Sequence, residues 1–225
     1  MNKKLSRYQR QRMLDGWGDA AQEKLKGSKV FIAGVGGLGS PVAMNLALAG
    51  VGHITLCDAD TVDVSNLNRQ FLHCEKSIGV DKTHSAFKTL SAINSEVVCD
   101  AVSQKITPEN TSELIAGADI IMDCLDNFAG RFALNQYAVE KGIPMVHGAV
   151  WGMEGRVSFF NPPLTPCLSC LFPESPPLQD VPVLGAVTTA TGSLQAIEAI
   201  QYLIGLQPAL ANKILIADYS SMRFQ

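Results

Sequence analysis

The chain has 225 residues, enough for one domain with a sizeable core; 47% of them are hydrophobic and only 17% are charged. That composition excludes a disordered chain, and a net charge of −3 offers no broad basic surface for nucleic acid. No apolar run is long enough to span a bilayer, and Met1-Asn2-Lys3-Lys4 leads into polar residues, so a cytoplasmic protein without a membrane or nucleic-acid partner is expected.

Residues 1–27 read as a helical arm. Arg7-Tyr8-Gln9-Arg10-Gln11-Arg12 opens it, an arginine cluster that on composition alone is a solvated face. Val30-Phe31-Ile32-Ala33 predicts a strand and passes into Gly34-Val35-Gly36-Gly37-Leu38-Gly39. Residues 41–49 predict a helix that breaks at Gly50-Val51-Gly52, and 53–57 predict a second strand ending on Asp58-Ala59-Asp60. Strand, glycine turn, helix, strand, acid is the order of a nucleotide-binding unit. Glycines let the backbone turn tightly and approach a phosphate, and the helix N-terminus offers free N–H groups to it. Asp58 stands about twenty residues past the last turn glycine, where a ribose-binding acid belongs.

Ser65-Asn66-Leu67-Asn68-Arg69-Gln70-Phe71 predicts a short helical turn beyond the carboxyl end of the second strand, where Arg69 could meet a phosphate with a fork of N–H donors. Ile78-Gly79-Val80-Asp81-Lys82 turns into a helix over 83–93. A lysine at a helix start opposes the dipole, a conflict that a bound anion removes and that a side chain reaching into water would also escape. Residues 97–102 predict a strand, and 110–115 a short helix after Pro108. The apolar middle of Asp119-Ile120-Ile121-Met122-Asp123-Cys124-Leu125-Asp126-Asn127 predicts a buried parallel strand. At its end Asp126 could hold Mg²⁺ beside a triphosphate, or cap the helix predicted over 130–141.

Residues 143–150 and 155–160 predict two more strands. Seven prolines between 161 and 182 predict an extended loop without regular structure. A helix follows over 192–204, with an apolar stripe for the sheet or a partner chain, and 213–218 close as a strand. Four of the six cysteines, at 57, 74, 99 and 124, read as small buried hydrophobes; Cys167 and Cys170 form a CxxC pair. The fold class is α/β: a Rossmann-like, doubly wound, mostly parallel sheet with helices on both faces and an antiparallel C-terminal extension. One domain over 1–225 is expected, with the arm 1–27 and a proline-rich crossover segment over 161–186.

Taken as an ordered set, these motifs resemble the ThiF/MoeB/HesA adenylyltransferases, relatives of the ubiquitin-activating enzymes. The set comprises Arg7-Tyr8-x-Arg10-Gln11, Gly34-x-Gly36-Gly37-Leu38-Gly39, Asp58-x-Asp60-x-Val62, Ser65-Asn66-Leu67-x-Arg69-Gln70, Gly79-x-x-Lys82, Asp123-Cys124-x-Asp126-Asn127, Cys167-x-x-Cys170 and Gly192-Ser193-Leu194-Gln195-Ala196-x-Glu198-Ala199-Ile200. The resemblance implies ATP-dependent adenylation of the C-terminal glycine of a ubiquitin-like sulfur-carrier protein with a Gly-Gly tail, releasing pyrophosphate. It implies that the glycine loop, Gly34, Gly36, Gly37, Leu38 and Gly39, approaches the phosphates. Asp58 would hold the ribose, with Asp60, Gln70 and Asn127 in the same nucleotide site. Asn66, Arg69 and Lys82 would face the phosphates, and Asp126 would bind Mg²⁺. Arg10 is similar to an arginine that reaches the site from the other subunit of a homodimer.

Relatives of this kind bind zinc with two CxxC pairs; Cys167 and Cys170 supply two of four ligands, a half-site. Some relatives also carry a crossover-loop cysteine, where Pro177-Leu178-Gln179-Asp180-Val181-Pro182 here has no thiol, so adenylation without a thioester stage at that loop is expected. Two alternatives stand beside this: an NAD-dependent oxidoreductase, resting on the glycine turn and Asp58 alone, and a non-catalytic dimeric scaffold that binds a carrier. Thiamine-type and molybdopterin-type carriers are not distinguished.

Overall fold

The computed structural model describes residues 7–175 and 182–225. A short helix α1 (Gln9–Arg12) and α2 (Gly18–Gly27) form the arm; β1 (Lys29–Ala33), α3 (Gly39–Ala49) and β2 (His53–Cys57) follow. Next come α4 (Lys82–Ile93), β3 (Val98–Val102), α5 (Thr111–Leu114), β4 (Ile120–Asp123), α6 (Phe128–Lys141) and β5 (Met145–Trp151). The chain closes with β6 (Glu154–Phe160), α7 (Leu168–Leu171), α8 (Gly185–Ile204), β7 (Ile214–Asp218) and β8 (Arg223–Phe224).

The strands form one sheet in the order β3-β2-β1-β4-β5-β6-β7-β8. The first five are mutually parallel and the last three antiparallel, as the α/β expectation required. Both faces of the central parallel strands β1 and β4 are buried, and successive side chains serve opposite cores. Val30, Ile32, Ile120 and Met122 join the cluster under α3 and α8; Phe31, Ala33 and Ile121 join the cluster under α6. The order reverses at β1, with β2 on one side and β4 on the other, and the crevice above such a switch point is where ligands bind in open α/β sheets.

The crossover segment departs from expectation at both ends. The proline-rich stretch holds a helical turn, α7, whose first N–H donates to Asn135 Oδ1 on α6 at 2.8 Å. α8 starts at Gly185, seven residues before the predicted helix and inside the expected crossover segment. Its Thr-rich first turns gave no helical pattern because β-branched residues disfavour helices. Burial of Val187, Thr188 and Thr191 overrides that preference. The hydroxyls of Thr188, Thr189 and Thr191 donate back to carbonyls one turn earlier, so none is stranded. Of the expected thiol-free loop at 177–182, residues 177–181 lie outside the described residues. Cys74 corrects another expectation: it is exposed, whereas Cys57 and Cys124 are buried and Cys99 is half-buried. Burial, with Asp58 adding to it, pushes the Cys57 thiol up to about 12.

Candidate active site

The glycine turn is shaped by backbone crowding. Gly34 sits at φ +88°, its N–H donating to Cys57 O at 2.8 Å, and a Cβ there would come within 2.9 Å of Cys124 O. A Cβ on Gly39 would run into the carbonyl oxygen of Gly34, so the turn folds back on itself to start α3. Val35 N–H donates to Asp58 Oδ2 at 2.7 Å, which ties the turn to the end of β2. Among the described residues, the N–H groups of Gly36 and Gly37 donate to nothing. They stand beside the N-terminus of α3, the arrangement that receives anions.

These glycines line a cavity of about 1140 Å³ at the carboxyl ends of β1, β2 and β4. Of the residues singled out from sequence for catalysis or nucleotide binding, Gly34, Gly36, Gly37, Leu38, Asp58, Asp60, Arg69, Gln70, Lys82, Asp126 and Asn127 all line it. Three do not. Gly39 lies within the turn. Asn66 accepts the Asp63 N–H at 3.1 Å and closes a reciprocal cap on its own turn. Arg10 is an exposed residue of α1 outside the lining.

The cations are held by specific partners. Lys82 is only 6% exposed, which overturns the reading of a lysine reaching into water. Its ammonium donates to Asp60 Oδ2 at 2.8 Å, and the carboxylate offsets both the helix dipole and the burial. Arg69 is braced by its own turn, Nη1 donating to Ser65 O at 2.8 Å and to Asn68 Oδ1 at 2.9 Å. Its other guanidinium nitrogens are not engaged in these bonds. Asp58 also accepts the Asp60 N–H at 2.9 Å. Gln70 is buried and its Oε1 has no partner among the described residues, an unsatisfied acceptor in the cavity wall.

At the mouth of β4 the two roles weighed for Asp126 separate. Asn127 caps α6, its Oδ1 accepting the Gly130 N–H at 2.9 Å, and Asp126 is left exposed beside it. A free carboxylate there fits Mg²⁺, which takes one or two carboxylates and completes its octahedron with phosphate and water. Cys167 and Cys170 hold their sulfurs 3.6 Å apart. Burial raises the Cys167 thiol, but hydrogen bonds from the Cys170 N–H and thiol outweigh it and leave it lowered. Two thiols are half a tetrahedral zinc site, and no group of three or more His, Cys, Asp or Glu residues converges among the described residues.

The floor of the cavity contains a buried polar cluster that the sequence did not reveal. Asp123 is fully buried and accepts from His147 Nδ1 at 2.7 Å. Arg131 Nε lies 3.7 Å from the same carboxylate, and its Nη2 donates to Leu125 O and Gly148 O. Gln195 of α8 donates to Asp123 O at 2.9 Å from the other face of the sheet. Asp123 and Gln195 were legible as motif members, but pairings across 24 and 72 residues carry no local signal. Trp151, Glu154, Arg156 and Phe172 line the far side, where β5, β6 and the end of α7 meet the opening. Arg131 alone had a hint: it lies one turn past the Asn127 cap, on the face that returns toward the cavity.

Fold and cavity together define a doubly wound α/β protein with an anion-receptive turn at its switch point. Residues 8–225 match the ThiF family, and the chain belongs to it. It is 40% identical over 230 residues to a protein from Drosophila sechellia named adenylyltransferase and sulfurtransferase MOCS3; the match covers the whole of this chain and 51% of that protein. It is 37% identical to the SAMP-activating enzyme E1 of Haloferax volcanii, covering 98% of this chain and 84% of that one. The chain thus spans about half the length of the MOCS3 relative and most of the Haloferax one. Among solved structures, E. coli MccB with succinimide superposes with a TM-score of 0.90 at 24% identity, covering 99% of this chain and 70% of that one, a likeness of fold.

Proposed function

We propose that this protein uses ATP and Mg²⁺ to adenylate the C-terminal carboxylate of a ubiquitin-like sulfur-carrier protein ending in Gly-Gly. The observation that carries this reading is the convergence of the glycine turn, Asp58, Arg69, Lys82 and Asp126 on one cavity. The family membership and the relatives' names, adenylyltransferase and activating enzyme, support it.

In this reading the free N–H groups of Gly36 and Gly37 receive the phosphates, and Asp58 accepts from the ribose hydroxyls with the lone pairs its backbone bonds leave. The carrier's terminal carboxylate attacks the α-phosphorus and pyrophosphate leaves. Negative charge gathers on the phosphoryl oxygens, where the Arg69 guanidinium and the Lys82 ammonium would stabilise it. Asp126 would hold Mg²⁺, which supplies further charge neutralisation when bound. The attacking carboxylate is ionised at neutral pH, so the step needs no general base. Arg10, exposed on α1, would serve the site of a partner copy in a homodimer.

The far side of the cavity, toward Trp151 and Phe172, would admit the carrier's thin tail. Thiamine, molybdopterin or a related sulfur-transfer pathway would take the product, in a cytoplasmic setting. An NAD-linked oxidoreductase would leave Arg69, Lys82 and Asp126 without a task. The test is ATP–pyrophosphate exchange with Gly-Gly-ending carriers. Carrier-dependent exchange is expected, falling about 100-fold or more in Arg69→Ala and in Asp126→Ala. Full exchange in either variant would reject that residue's role, and tight carrier binding without any exchange would favour a scaffold.

A further inference from the structure

His73 lies outside the cavity lining and belongs to none of the motifs read from the sequence, yet it is only 7% exposed. It sits under the glycine turn, between that turn and α4. Nε2 lies 3.1 Å from the carbonyl oxygen of Val35, and Nδ1 lies 3.0 Å from Ser85 Oγ. A carbonyl oxygen carries no proton, so Nε2 must be the donor. That leaves Nδ1 of the neutral ring to accept from the Ser85 hydroxyl.

Both polar groups of the Val35 peptide are therefore committed inward. Its N–H goes to Asp58 Oδ2 and its C=O to His73 Nε2. Pinning Val35 on both sides fixes the orientation of the next two peptides, whose N–H groups are the free ones. Remove the imidazole donor and the Val35 carbonyl, buried at 0% exposure, is left without a partner. The turn then relieves it by rotating, and the N–H groups of Gly36 and Gly37 lose their aim.

We propose that His73 is a positioning residue, which holds the glycine turn in its nucleotide-receiving conformation through the Val35 carbonyl. This rests on the nucleotide reading of the cavity. The charged groups around the ring agree with a neutral donor. Burial lowers its basicity first, and Lys82 of α4 lowers it further, while the Val35 bond and Asp58 beyond β2 act the other way; the balance is downward.

Calorimetric titration of ATP with Mg²⁺ into wild type, His73→Phe and His73→Gln tests the role, alongside ¹⁵N imidazole shifts of the wild type. Phenylalanine keeps the ring volume and removes the donor; glutamine returns an N–H at the reach of Nε2. A loss of ATP affinity on the order of tenfold is expected in His73→Phe, with recovery to within about threefold in His73→Gln. The wild-type shifts should show a protonated Nε2 and an unprotonated Nδ1 at neutral pH. Should His73→Phe fail to fold, the His73→Gln titration and the tautomer still decide the matter. A proton on Nδ1 alone, or ATP bound equally tightly by His73→Phe, overturns the role of His73 and leaves the nucleotide reading standing. A wild type that binds no ATP overturns both.

Discussion

At the N-terminus of α4, Lys82 meets the positive end of a helix dipole, and the Asp60 carboxylate makes that placement tolerable. The two partners are not equivalent. The Lys82 side chain is 8% exposed and that of Asp60 is 70% exposed. Removing Lys82 returns Asp60 to water, whereas removing the Asp60 charge strands a buried ammonium. Lys82→Met is therefore expected to fold normally and lose pyrophosphate exchange. Asp60→Asn is expected to be the more destabilising of the two in urea; the reverse order would refute the asymmetry.

His73 adds a pH dependence with a definite sign. Its basicity in the folded chain is lowered, chiefly by burial, so below about pH 6.5 the unfolded chain takes up a proton that the folded chain refuses. The stability tied to this ring is complete above that pH and is lost as pH falls toward the lowered folded value. Urea midpoints of wild type should fall more steeply between pH 7 and pH 5 than those of His73→Gln, which has no group to titrate; parallel curves would contradict the assignment. At this scale the sequence was partly legible. The tension at Lys82 could be seen from its position alone, although its resolution, Asp60, lay in another motif. Asp126 and Asn127 both suited a cap, and only the backbone direction decided for Asn127. His73 and His147 were silent, because their partners are distant in the chain.

Among the elements, α8 shows how a local rule misleads. Gly192 opened the predicted helix, and glycine weakens a helix interior by about 1 kcal/mol relative to alanine. It lies instead in the middle of α8, where a Cβ would press on Pro41 and come within 2.7 Å of Leu38 O. The missing side chain is what lets α8 cross α3 at close range and support the glycine turn. Gly192→Ala should cost about 1–3 kcal/mol in urea denaturation despite the better helix propensity. A stabilised variant would show that the contact yields freely. By contrast the central parallel strands β1 and β4 were legible, because each is a short apolar run buried on both faces, and no helix of that length fits between the turns.

For the molecule as a whole, the β-α alternation led directly to the switch point and hence to the cavity. What it could not supply is the far wall, built where β5, β6 and the end of α7 come together. Among the described residues no helix is long and apolar enough to cross a membrane. If Arg10 acts across a dimer, mixing inactive Arg10→Ala and Arg69→Ala proteins should restore exchange in the mixed dimers, which contain one site with both arginines. No recovery after subunit exchange would put Arg10 elsewhere.

The most direct measurement on the central claim, that one nucleotide lies across the mouths of β1, β2 and β4, is calorimetric titration of ATP with and without Mg²⁺. It should be run on wild type, Arg69→Ala and Asp126→Ala. Saturable one-site binding is expected in wild type, weakened by about tenfold or more in Arg69→Ala, with the gain from Mg²⁺ lost in Asp126→Ala. Equal affinity in all three proteins, or binding of NAD⁺ in preference to ATP, would contradict it.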